Sequence, residues 1–467
     1  MDKLLTLIDN EIEASTAQLA ADTIKFVNIK SVKSEPMPGA PFGEGVEKML
    51  NTFLEVAKTD GFFCTDYDVG VVSAAMDEGE IDLGIWLHGD VVAEGDGWSF
   101  PPYDATEYKG CIIGRGATDN KGQLAAVLNL FRIFKKLGVK LNYNPAIYLG
   151  SNEENGKHDI TGVEGNPDAR GFLNVHKPPK LSLVPDGSFP VGYGGKGSAI
   201  VTLRSKRPIE GYTFVAGQTN SPGLAVAQFF STEIPESVEG CTVSRGACNE
   251  ISVFSPPVHG AHPDPNGNMI TFLSRALLDY DLVPRDDRRM FEFLHDVSKM
   301  IYGEPLGIAT EHEIMGKLTV TARSVGCEDG YLTFTISSRF PIGMTLDMIR
   351  ESIDEHAAEY GFEVIDAYSY TRPYINERDN EVVRTLCKAS SDVIGKDLPP
   401  YILSGGTYAH ELPNAYVFGM SGNLPPEDFP KGRGGAHGID EAVSLDRLKR
   451  AMKIYARALL SLNDIRW

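Results

Sequence analysis

The most informative segment of this chain is residues 81–122, IDLGIWLHGDVVAEGDGWSFPPYDATEYKGCIIGRGATDNKG. Its apolar run, 81–87, ends abruptly at His88-Gly89-Asp90, which predicts a buried strand followed directly by polar side chains. Asp119 follows inside GRGATDNKG, just before an apolar helical pattern. Because neutral imidazole and carboxylate both suit zinc or manganese, these polar side chains are candidate metal ligands.

Strand-like and helix-like segments alternate around this stretch. Strands are predicted at 81–87, 146–150 and 181–184, and a helix at 122–137, where the apolar side chains form one stripe and Gly138 supplies a C-cap. This alternation predicts an α/β fold with a mostly parallel mixed sheet flanked by helices.

The pattern changes after about residue 192. More polar strands are predicted at 199–205, 250–254, 318–322 and 331–338, with helices at 224–230, 269–278 and 346–356. From about residue 378 the buried α/β pattern returns, with helices at 382–394 and 445–462 and a strand at 415–419. We therefore predict a discontinuous α/β domain, 1–191 and 373–467, that carries an inserted α+β lid domain, 192–372.

The composition describes an acidic chain that can bury large cores. It has 467 residues, 42% of them hydrophobic, and a net charge of −20 at pH 7. This charge argues against nucleic acid, whose phosphates require clustered lysine and arginine, and against an anionic membrane surface. The sequence shows no signal peptide and no membrane-spanning apolar run, and its six scattered cysteines form no Cys-x-x-Cys pair. We therefore expect a cytoplasmic protein with reduced thiols.

Polar clusters follow the predicted strands of the α/β part and also occur in a late glycine-rich loop. They contain the side chains His88, Asp90, Asp119, Glu153, Glu154, Asp186 and His437. Ligands of open α/β sheets bind at the carboxyl ends of strands, where these side chains are expected to meet.

Each cluster taken alone has an ordinary explanation. An aspartate before glycine is typical of a turn, adjacent glutamates of a solvated helix face, and a histidine after glycines of a loop. Taken together, two histidines and several carboxylates at strand ends form the ligand set of a two-metal hydrolytic site. The combined pattern favours a metal site.

Five motifs in a fixed order give the chain its resemblance to a known family. They are His88-x-Asp90, GRGATDNKG at 114–122, Glu153-Glu154, Asp186-Gly187 and the late His437. With them the chain resembles the co-catalytic zinc peptidase family that includes PepV-type dipeptidases, acetylornithine and succinyl-diaminopimelate deacylases, and aminoacylases. The resemblance runs nearly end to end.

The resemblance implies two divalent metal ions held by five side chains. Asp119 bridges the two ions, His88 and Asp186 complete one site, and Glu154 and His437 complete the other. Zinc is the expected metal, and manganese and cobalt stay open because all three suit histidine and carboxylate ligands. The peptide bond after Asp119 is expected to be cis.

Two further acidic residues receive roles from the resemblance. Glu153 is the general base, which takes a proton from the water that bridges the metals and passes it to the leaving amine. Asp90 orients His88 through its other ring nitrogen.

The inserted domain carries three further matches. His259 resembles the lid histidine that hydrogen-bonds the developing oxyanion, and it fits better than His262. Asn220 resembles a lid asparagine that faces the substrate. Arg339 resembles the arginine that grips the substrate carboxylate; its alternative is an ordinary surface charge at a strand end.

A glycine-rich turn near the C-terminal part is a candidate for carboxylate binding. The backbone N–H groups of Ser404, Gly405 and Gly406, in SGGTY, could hold the substrate carboxylate. His410 departs from the family pattern, which has a basic residue there, and we assign it no role.

The resemblance implies that the enzyme hydrolyses an amide bond next to a carboxylate-bearing residue of its substrate. The segments 95–103 and 119–122 and the long insert resemble the PepV-type branch. We therefore predict a metal-dependent dipeptidase, with a small peptide as substrate. A monomer is expected because the enlarged lid covers the site within one chain, and a homodimer stays open.

Two other functions compete with this prediction. An N-acyl-amino-acid deacylase, of the acetylornithine or succinyl-diaminopimelate type, would share every metal residue. A non-catalytic metal- or peptide-binding protein is disfavoured, because Glu153 and all five ligands are present.

Overall fold

The computed structural model describes residues 2–154, 166–215, 223–230, 232–255, 263–420, 429 and 432–466. The chain divides into two compact units: Met1–Gly194 together with Ile375–Trp467, and Gly195–Tyr374. The insert predicted from the sequence ran from 192 to 372. Each unit has its own cluster of buried apolar side chains.

The α-helices of the described residues are numbered in chain order. They are α1 (Asp2–Ala14), α2 (Thr16–Val27), α3 (Glu44–Thr59), α4 (Lys121–Leu137), α5 (Pro167–Val175), α6 (Met269–Asp279), α7 (Arg288–Lys299), α8 (Leu346–Ala358), α9 (Glu381–Ile394) and α10 (Leu445–Leu462). Short 3-10 helices lie at Glu304–Leu306 and Tyr408–His410. Within this part of the chain, no helix is both long enough and apolar enough to cross a membrane.

The strands of the described residues are numbered in the same way. They are β1 (Phe63–Asp66), β2 (Val71–Ala75), β3 (Leu83–His88), β4 (Thr106–Tyr108), β5 (Cys111–Ile113), β6 (Pro145–Gly150), β7 (Leu181–Val184), β8 (Gly192–Gly195), β9 (Gly197–Ser205), β10 (Tyr212–Val215), β11 (Gly223–Phe229), β12 (Thr242–Arg245), β13 (Asn249–Ser255), β14 (Glu311–His312), β15 (Gly316–Lys317), β16 (Thr319–Glu328), β17 (Tyr331–Phe340), β18 (Phe362–Thr371), β19 (Tyr374–Ile375), β20 (Tyr401–Leu403), β21 (Ala415–Val417) and β22 (Ala442–Ser444).

The first unit is built on a mixed sheet whose central strands are parallel, as predicted. Its order is β1-β2-β6-β3-β7-β21-β8-β19, and β20 pairs with β8. β3 pairs in parallel with β6 and β7, and β7 pairs in parallel with β21, whereas β2 is antiparallel to β6. Every residue of β3 and β6 is buried, which explains their uninterrupted apolar sequences.

The helix α4 shows why this unit is stable. Thirteen of its residues are buried, and it packs against α1, α2 and α10 as well as β3. Its apolar stripe and most of its remaining residues are therefore covered, whereas Lys135 and Lys136 in its last turn are exposed. It ends at Gly138, whose left-handed φ of 64° closes the helix, as the sequence predicted.

The second unit is an α+β arrangement. One four-stranded sheet has the order β16-β17-β9-β18, and another has the order β10-β11-β13-β12. Its helices are α6, α7 and α8, of which α6 packs on β11 and β13, and α8 on β18.

One predicted element of this unit is wrong. Residues 224–230 were predicted as a helix, but they lie in strand β11, which pairs with β10 and β13. Ala225, Ala227 and Phe229 are buried whereas Val226 and Gln228 are partly exposed, so the segment follows the two-residue period of a strand. The alanine-rich sequence has helix propensity, and pairing on both sides overrides it.

Candidate metal centre

The ends of three neighbouring strands build the candidate site. β3 ends at His88, which is opposite Gly150 at the end of β6, and β7 ends at Val184. Because these strands are parallel, their carboxyl ends lie at one edge of the sheet. The residues that follow them therefore come together there, as predicted.

Two groups of three side chains could each hold a metal ion. One consists of His88, Asp119 and Asp186, and the other of Asp119, Glu154 and His437; in each group one ligand atom per residue lies within 4.8 Å of the others. Asp119 belongs to both groups, the arrangement that a bridging carboxylate requires.

The two oxygens of Asp119 face different histidines. Asp119 Oδ1 lies 3.0 Å from His88 Nε2, and Asp119 Oδ2 lies 3.2 Å from His437 Nε2. His437 Nε2 also lies 2.9 Å from Glu154 Oε1. The peptide bond between Asp119 and Asn120 is cis, as the resemblance implied.

The charges of the site fit divalent cations. Burial raises the pKa of Asp186 to about 8, and the nearby charge of Asp119 adds to the rise. Burial and the charge of Asp186 also raise the pKa of Glu153 well above its ordinary value. The carboxyl groups of Asp119, Glu153, Glu154 and Asp186 thus lie close together in a poorly solvated site, where cations would offset their repulsion. The oxygen and imidazole donors suit zinc, manganese or cobalt.

The site opens to solvent on one side. The side chain of His88 is 1% exposed, whereas that of His437 is 50% exposed.

Burial alone lowers the pKa of His88, but the hydrogen bonds to Asp119 and Asp90 outweigh it and raise the pKa well above its ordinary value.

Asp90 makes two kinds of contact at the site. His88 Nδ1 lies 3.0 Å from the backbone oxygen of Asp90 and 3.6 Å from its carboxylate Oδ1. The Asp90 carboxylate also accepts the backbone N–H groups of Glu153 and Glu154, each at 3.0 Å. Asp90 therefore holds the loop of the two glutamates as well as contacting His88.

A second buried carboxylate holds the start of the same loop. Asp168 Oδ2 accepts the backbone N–H groups of Ser151 at 2.6 Å and Asn152 at 2.9 Å, and the hydroxyl of Tyr408 at 2.5 Å. The loop from 151 to 154 is thus fixed by four backbone N–H groups. Because each of these N–H groups has a hydrogen-bond acceptor, the loop can be buried without the cost of unpaired polar groups.

The glycine-rich turn follows β20. Thr407 caps the short helix Tyr408–His410, and the side chain of His410 completes the capping box: its Nδ1 lies 3.3 Å from the Thr407 nitrogen. His410 is buried, so its departure from the family pattern is accommodated as part of this cap. The carboxylate-binding role of Ser404, Gly405 and Gly406 stays a prediction.

The residues predicted in the insert divide into two cases. His259 and Asn220, with the alternative His262, lie outside the described residues. Arg339 is buried near the end of β17 and donates to Ser337 Oγ at 2.8 Å and to the Ser338 carbonyl at 3.1 Å. It is therefore not an exposed surface charge, and its substrate-binding role stays a prediction.

Sequence reasoning gave no role to three side chains that hold the site loops. Arg115 lies inside the motif at 114–122, four residues before Asp119, and Glu441 lies four residues after His437; both are almost fully buried. The sequence feature that could have identified these two is a charged residue a few positions from a predicted metal ligand. Asp168 had none, because it lies in helix α5, outside every motif.

Comparisons with known proteins identify the family of the chain. The profile of "Peptidase family M20/M25/M40" matches residues 85–461. "Putative dipeptidase YtjP" of Bacillus subtilis (strain 168) is 26% identical over 97% of this chain and 98% of its own length. Human carnosine dipeptidase 1 superposes with a TM-score of 0.61 at 16% identity over 99% of each chain. The dipeptidase Dug1p of Saccharomyces cerevisiae has a TM-score of 0.60 at 14% identity over 100% of each chain. The two solved structures share the fold.

Proposed function

Because the chain belongs to peptidase family M20/M25/M40, and is therefore a peptidase, we propose that it hydrolyses dipeptides with two divalent metal ions. The observation that carries the proposal is the pair of ligand groups that share Asp119. The "Putative dipeptidase YtjP", similar over nearly its whole length, supports the substrate class.

Five side chains would hold the metals. His88 and Asp186 would complete the first site, Glu154 and His437 the second, and Asp119 would bridge the two. When bound, the ions supply Lewis-acid activation of water and of the scissile carbonyl. Zinc suits the donor set best, and manganese or cobalt would fit the same atoms.

Glu153 is the proposed general base. It adjoins the ligand Glu154 but belongs to neither ligand group, so its carboxylate is free to accept a proton. Glu153 would take a proton from the attacking water and deliver it to the leaving nitrogen.

The remaining predicted residues would act on the substrate. Arg339, Asn220 and the backbone of Ser404, Gly405 and Gly406 would bind it, and His259 would stabilise the oxyanion. A free α-amino group distinguishes a dipeptide from an N-acyl amino acid, and a deacylase would use the same metal residues.

A substrate panel tests the proposal. Metal-stripped protein would be resupplied with zinc, manganese or cobalt and assayed on dipeptides, N-acetyl amino acids and N-succinyl amino acids. Metal-restored cleavage of the free-amino dipeptides alone is expected. Cleavage of the N-acyl substrates instead would make the protein a deacylase, and no cleavage by metal-loaded protein would contradict an enzyme of either kind.

A further inference from the structure

One buried ion pair joins the loop that carries Asp119 to the loop that carries His437. Arg115 is 1% exposed and Glu441 is 0% exposed, and Arg115 Nη1 donates to Glu441 Oε2 at 2.6 Å. Neither residue is a predicted ligand. A buried ion pair recovers its cost of desolvation only when both partners make further hydrogen bonds, so these other contacts show what the pair holds.

Glu441 holds the Asp119 loop by its backbone. Its Oε1 accepts the N–H groups of Thr118 at 2.8 Å and Asp119 at 3.0 Å, and its Oε2 accepts the N–H of Gly116 at 3.1 Å. A carboxylate suits this position because three N–H groups and a guanidinium converge on its two oxygens. A glutamine would offer one oxygen and would turn an NH₂ group towards donors.

Arg115 holds the His437 loop. Its Nη2 donates to the His437 carbonyl at 3.2 Å, and to the carbonyls of Ala93 at 3.3 Å and Glu94 at 3.4 Å. His437 has a φ of 61°, in the left-handed region that residues other than glycine rarely adopt. The hydrogen bond from the planar guanidinium of Arg115 helps to stabilise this left-handed backbone, which is unfavourable for a histidine.

We propose that the Arg115–Glu441 pair positions Asp119 and His437 relative to each other and so forms the second metal site, Asp119–Glu154–His437. This inference rests on the proposed function, since it requires that the site bind a metal. The first site shares Asp119, but His88 ends strand β3 and Asp186 follows strand β7, and neither has a described contact with the pair. Loss of the pair is therefore expected to weaken the second site more than the first.

Two substitutions separate the two ends of the pair. Glu441→Gln replaces one of the two acceptor oxygens with an NH₂ group, so the donors that meet that oxygen lose their acceptor. Arg115→Lys keeps the positive charge but lacks the second nitrogen that reaches the His437 carbonyl. The matched control is Asp22→Asn: Asp22 is 2% exposed, lies in the same unit and pairs with Arg132 and Asn129, away from the ligands.

The experiment titrates metal-stripped full-length protein with zinc in competition with a chromophoric chelator, alongside circular dichroism to verify folding. His437→Ala identifies the dissociation constant that belongs to the second site. Glu441→Gln and Arg115→Lys are expected to weaken that site 10- to 100-fold, the usual effect of losing a residue that orients metal ligands, and to change the first by less than about threefold. The control is expected to bind both ions as the wild type does.

Three results would overturn the inference: wild-type affinities in both variants, equal weakening of the two sites, or an equal loss in Asp22→Asn. If Glu441→Gln does not fold, Arg115→Lys decides alone. A wild-type protein that binds fewer than two zinc ions contradicts the proposed function itself, and this result is distinct from the other three.

Discussion

The carboxylate of Asp90 accepts the backbone N–H of Glu153 at 3.0 Å. Its other oxygen accepts the N–H of Glu154 at the same distance, so one buried side chain orients the proposed base and a proposed ligand together. The sequence suggested a contact with His88 only. The backbone oxygen of Asp90 lies closer to His88 Nδ1 than its carboxylate does, and that carboxylate serves the glutamate loop as well as His88.

Asp90→Ala is expected to lower kcat/KM for a dipeptide at least tenfold, because both N–H groups lose their acceptor and Glu153 and Glu154 shift. Asp90→Asn keeps one oxygen and is expected to lose less. Steady-state kinetics on the metal-loaded variants measures both effects. Asp22→Asn is the control for loss of a buried carboxylate, and wild-type kinetics in Asp90→Ala would contradict the positioning role.

Glu153→Gln is expected to keep two bound metals and to lower kcat by 10²- to 10⁴-fold, since a neutral amide cannot accept a proton. The metal content, measured by atomic emission, separates this loss from loss of a ligand. Turnover comparable to that of the wild type would refute the assignment of Glu153 as the base.

Asp168 is expected to make stability depend on pH. Burial is the main cause that raises its pKa from 3.8 to about 6, and the charge of Asp90 adds to the rise. The hydrogen bond from Tyr408 acts in the opposite direction and lowers the pKa. The folded chain therefore binds this proton more tightly than the unfolded chain, so between about pH 4 and 6 the contribution of Asp168 to the free energy of unfolding falls as pH rises. The shift corresponds to about 3 kcal/mol.

Asp168→Asn removes this titration. The free energy of unfolding of the variant minus that of the wild type is expected to rise between about pH 4 and pH 7, measured by urea denaturation of metal-stripped protein. Asp82→Asn is the control, because a carboxyl group whose pKa is lowered titrates below about pH 4, so the difference for this variant is expected to stay nearly constant between about pH 4 and pH 7. Burial raises the pKa of Asp82, but hydrogen bonds from Lys180 and the backbone of Asn144 outweigh it and lower the pKa. A difference for Asp168→Asn that stays constant over this range would contradict the prediction.

Gly150→Ala is expected to destabilise the first unit by about 1–3 kcal/mol, because overpacking forces buried side chains to shift. A methyl group there would lie 2.0 Å from the Tyr408 hydroxyl and 2.6 Å from Asp168 Oδ2, both of them buried. Thermal denaturation measures the effect. Gly171→Ala is the matched control in α5, where the nearest atom would be 3.5 Å away and the alanine favours the helix. Equal melting temperatures for the two variants would contradict the prediction.

Several elements could be predicted closely because their signal is local. β7 and α10 have the predicted bounds, and α4 begins one residue earlier than predicted. Their apolar periodicity and the cap at Gly138 depend on neighbours in the sequence. The prediction failed at β11, where pairing with distant strands on both sides outweighed the local preference.

The α/β class, the buried central strands and the polar residues at their ends could be predicted from the sequence, because hydrophobic periodicity and turn chemistry depend on neighbouring residues. The sequence also supplied the residues that form the two ligand groups. The contacts that hold those residues in place are visible only in the three-dimensional structure. Glu441 meets Asp119 across 322 positions, and Asp168 meets Tyr408 across 240. Contacts of this kind are set by the packing of distant loops on one sheet edge, and no local pattern in a single chain encodes them.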